Sequence, residues 1–249
     1  MMQDKIKVTI WNEFRHERND EAIRAIYPNG LHAVIGQALS QDAALEVRLA
    51  ALDDAEQGLP ADILNDTDVL LWWGHMAHHE VSDALVEAIK QRVYLGKMGL
   101  IVLHSGHHSK VFRGVVGTSG NLSWGRTQKE IVWTLNPTHP IAQGIPDHFC
   151  LPQEELYAEP FYIGEPEETV FASWFEDGFV MRSGVVFKRS AGKIFYFQPG
   201  HEECPSYYNE WVQKIIHNAV YYVKPVAAAA AVPDGAPCWT FRAADEFDV

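Results

Sequence analysis

The sequence has 249 residues, of which 47% are hydrophobic and 21% charged, and this composition suits one well-packed domain and excludes a disordered chain. Thirty-three acidic residues against 20 basic ones give a formal net charge of −13, so we expect no nucleic acid and no membrane surface as a partner. The three cysteines are too few for a disulfide framework, and no signal peptide or membrane-spanning run is found. These features predict a cytoplasmic protein.

The first half of the chain alternates strand and helix patterns. Apolar segments rich in β-branched residues predict strands at 5–11, 45–50, 68–73 and 99–103. Helical periodicity lies between them, interrupted at Pro28-Asn29-Gly30 after the first strand and continuous from Val81 to Val93 after the third. This alternation predicts an α/β fold with a doubly wound, mostly parallel sheet of the flavodoxin-like kind.

The pattern changes after about residue 115, where aromatic residues and turns become frequent. Three further strands are predicted at 170–175, 184–187 and 193–197, and we expect them to extend the sheet as a mixed, partly antiparallel region. A last helix is predicted with one face formed by Trp211, Ile215, Ala219 and Tyr222.

The domain is predicted to span residues 1–223, followed by a C-terminal arm over 224–249. The run of alanines at 227–231 between Pro225 and Pro233 marks the change. The arm carries Trp239, Phe241 and Phe247, which would pack on the body of the protein or on a neighbouring copy of the chain. Assembly into a homo-oligomer therefore stays open.

Polar side chains follow the predicted strands where each strand ends. Ligands of open α/β sheets bind beyond the carboxyl ends of the strands, so we expect these side chains to converge on one rim. The residues concerned are Glu13 and His16, then His75 and His78, then His104, Ser105 and His107, and finally His201, Glu202 and Glu203.

Two chemistries suit these strand ends. Imidazole nitrogens bind zinc and similar metals, and the pairs His75-x-x-His78 and His104-x-x-His107 supply four candidate ligands for a divalent metal, with zinc as the first candidate. A catalytic site would use three of them, leave one position for water and could add Glu13 or Glu155. Alternatively, the histidines act as acids and bases, with His201 oriented by Glu203. The third reading is that they are hydrogen-bonded and inert.

A second group of residues would bind the substrate, together with Glu13. Alternation along an extended segment places Glu155, Tyr157 and Glu159 on one side, where they would line a pocket, bind a cation or form an acidic edge strand. Arg182 would hold a ligand oxygen or pair with one of these carboxylates. Trp73 would stack on a sugar ring or belong to the core.

Four segments, 68–75, 103–107, 154–159 and 195–202, resemble those of the trehalose-utilisation (ThuA-like) family, and the resemblance covers about residues 5–223. It implies a fold similar to the class I glutamine amidotransferases. It also implies a role in disaccharide catabolism on trehalose-like or keto-sugar substrates, with a sugar oxidoreductase as a partner in the pathway.

The sequence departs from the amidotransferases at the nucleophile. Their strand-to-helix turn presents Cys-x-Gly, whereas the matching turn here is His104-Ser105-Gly106, so glutamine hydrolysis through a thioester lacks its thiolate. The His-x-Glu of the amidotransferases does match His201-Glu202-Glu203.

Three functions remain open. The leading one is a metal-assisted enzyme acting on a disaccharide or an oxidised (3-keto) glycoside, with His201 and Glu202 or Glu203 moving protons. The second is a non-catalytic sugar-binding or scaffold protein. The third, a serine hydrolase through Ser105, ranks last because the glycine two residues before the serine of an elbow turn is missing.

Overall fold

The computed structural model describes residues 5–226 and contains one nine-stranded sheet. The strands are β1 (Ile6–Asn12), β2 (Leu45–Ala51), β3 (Val69–Trp73), β4 (Gly99–Leu103), β5 (Ser123–Thr134), β6 (His148–Ala158), β7 (Glu168–Phe175), β8 (Val180–Arg189) and β9 (Gly192–Phe197). The helices are α1 (His16–Asn19), α2 (Glu21–Ile26), α3 (Leu31–Leu39), α4 (Ala61–Asn65), α5 (Asp83–Tyr94), α6 (Lys110–Val116) and α7 (Glu210–Val223).

Five parallel strands form one half of the sheet, in the order β2-β1-β3-β4-β9. This is the strand order of flavodoxin-like folds, which confirms the predicted fold class. Strands β3 and β4 are buried along their whole length, as expected for strands covered on both faces. The chain moves from β2 on one side of β1 to β3 on the other, so the strand order reverses at the β1–β3 pair.

Helices cover both faces of this parallel half and create two hydrophobic cores. On one face α5 and α6 contribute Ile89 and Phe112 to a core with the buried residues of β3 and β4. On the other face α3 and α7 contribute Ile35 and Ile215. The helix interruption predicted at Pro28-Asn29-Gly30 is present between α2 and α3.

The antiparallel extension runs β9-β8-β7-β5-β6. The three strands predicted in this region are present, but sequence analysis missed β5. Its pattern is obscured because Gln128 and Glu130 are buried polar residues at the positions where an apolar alternation is expected. Glu130 is fully buried and hydrogen-bonded to Ser173 of β7.

The last helix differs from its predicted face. Ile215 and Ala219 are buried as expected, but Trp211 and Tyr222 are only half-buried, and Val212 completes the inner face instead. Of the predicted arm, everything after residue 226 lies outside the described residues. Within residues 5–226, no helix combines the length and apolar character that crossing a membrane requires.

Candidate functional site

A cavity of about 460 Å³ opens at the carboxyl ends of the parallel strands. Its wall includes His75, His78, His107, His108, Glu155 and Tyr157. The cavity lies beside the strand-order reversal, where flavodoxin-like folds bind their ligands. The predicted convergence of polar residues from several strand ends on one rim is therefore present.

Three side chains from three separate segments of the chain meet beside the cavity and are called the first triad here: His16 at the start of α1, His75 after β3 and Glu202 after β9. The Nδ1 atom of His75 lies 2.9 Å from Nε2 of His16 and 3.0 Å from Oε1 of Glu202. Nε2 of His16 lies 3.3 Å from the same carboxylate oxygen. The three donor atoms form a nearly equilateral triangle of a size that a metal ion can occupy.

Charge is distributed unequally in the first triad. Burial alone would raise the pKa of Glu202, but the hydrogen bond and charge of His75, helped by His201 and His16, outweigh it and lower this pKa to about 2. Burial would lower the pKa of His75, and the hydrogen bond and charge of Glu202 raise it overall. The carboxylate is therefore ionised at neutral pH.

A second triad lies on the neighbouring side of Glu202: His104, Glu155 and His201. Nδ1 of His104 donates to the carbonyl oxygen of Gln198 at 2.7 Å, which leaves Nε2 facing Oε2 of Glu155 at 3.1 Å. Nε2 of His201 lies 3.5 Å from the same oxygen. The ring of Tyr157 stacks on His104 with centroids 4.6 Å apart and fixes its plane.

The second triad pairs an ionised carboxylate with two different imidazoles. The buried His104 would have a low pKa from desolvation, but Glu155 and the nearby carboxylates raise it. Burial would raise the pKa of Glu155, and His104 with its charge lowers it instead. Burial and the charge of His104 lower the pKa of His201. His104 therefore favours the imidazolium form and His201 the neutral form.

His104 occupies the turn after β4 in a strained backbone conformation, with φ of +45°. Positive φ is uncommon for a residue other than glycine and often marks functional turns. The next residue, Ser105, is buried, and its Oγ has no hydrogen-bond partner among residues 5–226. Since no histidine is aligned on it, the geometry offers Ser105 no general base.

Two buried carboxylates hold the loops that carry both triads. Glu13, 1% exposed, accepts hydrogen bonds from the backbone nitrogens of His75, Met76 and Ala77. Glu154 accepts from the backbone nitrogens of Gly200 and His201 and from the hydroxyl of Ser206. Glu13 was predicted to bind substrate, but its oxygens are occupied by the backbone, so it positions His75 instead.

His78 and His107 do not join His75 and His104 in either triad. Both lie on the cavity wall, and burial lowers their pKa values to about 4 and about 3. Nδ1 of His107 donates to the carbonyl oxygen of Gly120 at 2.6 Å. His75 precedes the 3-10 turn His78–Glu80, and His104 begins the turn His104–His108 with a positive φ. Neither pair therefore has the regular helical geometry that places residues three apart side by side.

Comparison with known proteins identifies the family of this chain. The family model described as trehalose utilisation (ThuA) matches residues 7–223. The chain belongs to the ThuA family. A comparison with curated proteins found no match.

Solved structures similar to this ThuA family member share its fold at low identity. A protein from Parabacteroides merdae described as ThuA-like is 13% identical with a TM-score of 0.68, covering 88% of this chain and 90% of that one. A cytoplasmic protein from Salmonella typhimurium LT2 is 13% identical with a TM-score of 0.63, covering 88% and 100%. A Thermoplasma acidophilum protein described as part of a GMP synthase is 12% identical with a TM-score of 0.50, covering 88% and 94%.

Four residues predicted for the site of this ThuA protein do not line the cavity, and for Trp73 and Arg182 the alternatives, a core position and an ion pair with a carboxylate, are confirmed. Trp73 is 1% exposed and donates from its indole nitrogen to Gly200 at 3.1 Å, so it supports the loop of His201 and does not line the cavity. Arg182 and Glu159 form an ion pair at 2.7 Å away from the cavity. Glu203 is exposed, and only its backbone N–H contacts His201, donating to Nδ1 at 3.2 Å.

Three residues that matter to the site were not predicted. His16 was seen at the end of β1 but was not assigned a role, since it has no histidine at ligand spacing. Glu154 directly precedes Glu155 in β6 and had no predicted role, although alternation along this strand turns its side chain inward. Trp124 lies at the cavity mouth with 71% exposure, and its strand was not recognised.

Proposed function

We propose that this ThuA family member is an enzyme of sugar catabolism that acts on a disaccharide or a 3-keto glycoside. Proton transfer by Glu155 would be its central step, with a divalent cation, zinc as the first candidate, assisting. The observation that carries the proposal is Glu155 itself. This carboxylate lines the cavity, and on its buried side it contacts the imidazoles of His104 and His201. His104 favours the protonated form and His201 the neutral form.

The cavity suits a sugar. Its volume of about 460 Å³ lies within the usual range of small-molecule sites, about 300–1,000 Å³. Trp124 at the mouth offers a large, exposed aromatic face, which is the surface that the C–H groups of a sugar ring pack against. The wall between Trp124 and Glu155 carries hydrogen-bonding groups from His75 and His108 for hydroxyl groups.

The chemistry follows from the acidity of a carbon next to a keto group. Glu155 would take the proton from C2 of a 3-keto glycoside, and the electron pair would expel the glycosidic oxygen from C1, forming a C1–C2 double bond. The leaving sugar would collect its proton from the site, where two protonated nitrogens contact Glu155: Nε2 of the His104 imidazolium at 3.1 Å and Nε2 of neutral His201 at 3.5 Å. A bound divalent cation supplies Lewis-acid polarisation of the keto oxygen.

This chemistry also defines the expected partners. The keto substrate would come from a sugar oxidoreductase of the same pathway, which fits the trehalose-utilisation description of the family. A cytoplasmic location is proposed from the description of the Salmonella relative, and the net charge of −13 disfavours nucleic-acid and membrane partners. A homo-oligomer is a further proposal.

The test uses trehalose and its enzymatically oxidised 3-keto derivative as substrates, followed by proton NMR in D₂O. We expect loss of the C2 proton signal and release of free glucose from the keto sugar only. Glu155→Gln is expected to slow this reaction by a factor of about 10²–10⁴, the usual contribution of a general base. Glu159→Gln is the matched control, since Glu159 lies just beyond the same strand and outside the cavity.

The outcomes separate the enzyme from the alternatives. Saturable binding of either sugar without exchange or cleavage would contradict the enzymatic proposal and leave the sugar-binding protein. Unchanged turnover in Glu155→Gln would contradict the assignment of the base. Glu159→Gln should retain wild-type turnover, and an equal loss in both variants would contradict a specific role of Glu155.

A further inference from the structure

The first triad has the dimensions of a metal site. Bond lengths of about 2.0–2.2 Å to imidazole and carboxylate ligands place neighbouring donors about 2.8–3.6 Å apart in octahedral or tetrahedral geometry. The observed separations among His16, His75 and Glu202 are 2.9, 3.0 and 3.3 Å. We infer that His16 Nε2, His75 Nδ1 and Glu202 Oε1 bind one divalent transition-metal ion. The binding of the ion is independent of the proposed function, and only its role in catalysis rests on that function.

The donor set matches that of catalytic rather than structural metal sites. Two histidines and one carboxylate form the ligand set of zinc hydrolases and of facial iron sites, and such sets leave coordination positions open for water or substrate. The side chain of His75 is 37% exposed and lines the cavity, whereas Glu202 is 3% exposed behind it. An ion held here would therefore have its open side toward the cavity.

A buried and unpartnered oxygen supports the inference independently. The Oε2 atom of Glu202 has no hydrogen-bond partner among residues 5–226, although its side chain is almost fully buried; Nε2 of His201 lies 3.7 Å away, beyond hydrogen-bonding distance. Burying an ionised carboxylate without full hydrogen bonding is costly unless a positive charge compensates it. A cation on the same carboxylate supplies that charge, and the net charge of −13 favours its capture.

Hydrogen bonds to buried carboxylates position the segments that carry the three ligands, independently of a metal ion. Glu13 fixes the backbone of His75 with three hydrogen bonds. Glu154 fixes the backbone at Gly200 and His201, next to Glu202. Glu17, buried in α1 beside His16, accepts hydrogen bonds from the backbone of Leu31 and from Asn12. Anchoring of this kind is what a metal site needs for affinity.

The second triad has the wrong proton arrangement for a metal. Nδ1 of His201 accepts a hydrogen bond from the backbone N–H of Glu203, so a neutral His201 carries its proton on Nε2, the atom that faces Glu155. Metal binding at that atom would require its lone pair. We therefore assign metal binding to the first triad and proton transfer to the second.

The test measures metal binding by untagged protein after removal of metals with a chelator. Zinc is titrated calorimetrically, and cobalt serves as a spectroscopic probe of coordination by nitrogen and oxygen. We expect one equivalent per chain and a loss of affinity of at least about 100-fold in His16→Ala, since losing even an outer partner of a ligand costs about 10–100-fold. His78→Ala is the matched control, because His78 shares the cavity wall but lies outside the triad, and it should bind as the wild type does.

Thermal unfolding with and without zinc distinguishes a loss of zinc binding from a failure of the variant to fold. Zinc is expected to raise the Tm of the wild type and of His78→Ala but not that of a folded His16→Gln. Wild-type affinity in His16→Ala, loss of the ion in His104→Ala with retention in His16→Ala, or no zinc bound at all would each overturn the inference. A metal-loaded protein without sugar turnover would contradict only the proposed function, whereas turnover by the metal-free protein would contradict only the catalytic role of the ion.

Discussion

The carboxylate of Glu13, at the end of β1, accepts a hydrogen bond of 2.7 Å from the backbone nitrogen of His75, after β3. The same carboxylate also accepts from the next two backbone nitrogens at 2.8 and 3.0 Å. One buried side chain thereby joins two loops of the strand-order reversal and sets the position of a histidine on the cavity wall.

Glu13→Gln is therefore expected to destabilise the protein although it preserves the shape of the side chain. The amide group would face backbone N–H groups that need an acceptor, and an unsatisfied buried donor costs about 1–3 kcal/mol. The substitution alters three hydrogen bonds, and urea unfolding should show a total loss of about 3 kcal/mol in the free energy of unfolding. Glu46→Gln, at an exposed site on β2, should stay within about 0.5 kcal/mol of the wild type, and an equal loss in both variants would contradict the anchoring role.

Gly200 permits the close packing of the loop that carries His201 and Glu202. Its φ is +134°, and a Cβ there would lie 2.1 Å from the hydroxyl oxygen of Tyr207. Gly200→Ala should cost more than about 3 kcal/mol, since a clash in a packed core adds to the backbone strain. Gly178→Ala also has positive φ but meets nothing within 4 Å, so it should cost only about 1–2 kcal/mol. Similar Tm values for the two variants would argue against this explanation.

The buried His107 is expected to make the free energy of unfolding fall as the pH is lowered. Burial is the main reason that its pKa falls to about 3, and the charges of His104, His108 and His78 add to it, whereas the unfolded chain has a pKa of about 6.5. Above pH 6.5 both states are neutral at this residue, and between pH 6.5 and 3 only the unfolded chain gains the proton. Stability should therefore fall as the pH drops, by up to about 1.4 kcal/mol per unit from this residue.

The pH dependence can be measured with His107→Gln, which keeps a donor toward Gly120. Between pH 7.5 and 5.0 the wild type should lose about 2 kcal/mol more than this variant in urea unfolding. His79→Gln, at an exposed position, should retain the wild-type pH dependence. Parallel losses in the wild type and His107→Gln would show that His107 is not the cause.

Trp124 should matter for substrate and little for folding. Its side chain is 71% exposed at the cavity mouth, so Trp124→Ala is expected to change the Tm by less than about 2 °C. If a sugar ring stacks on it, KM for the keto sugar should rise about tenfold, equivalent to about 1.4 kcal/mol, with little change in kcat. Trp133→Ala, on the same strand but outside the cavity, should leave KM unchanged, and an equal effect of both substitutions would contradict the stacking.

Much of the fold follows from local patterns in the sequence. The apolar runs of β3 and β4, and the helices between the first strands, could be predicted because burial on two faces and helical periodicity are written in consecutive residues. The strand β5 could not, because Glu130 and Gln128 are buried through hydrogen bonds to Ser173 and to the turn at Asp177. Such pairing with distant residues leaves no periodic signal in the strand itself.

The convergence of polar residues from successive strand ends could be predicted from the sequence, since parallel strands place their carboxyl ends at one edge of the sheet. Which of these residues meet depends on long-range contacts in the folded protein. His75 contacts His16 across 59 positions of the chain and Glu202 across 127, whereas His78, three residues away, does not join them. The reason is physical: spacing along the chain sets neighbours only within regular elements, and in loops the side chains are placed by long-range hydrogen bonds such as those of Glu13 and Glu154.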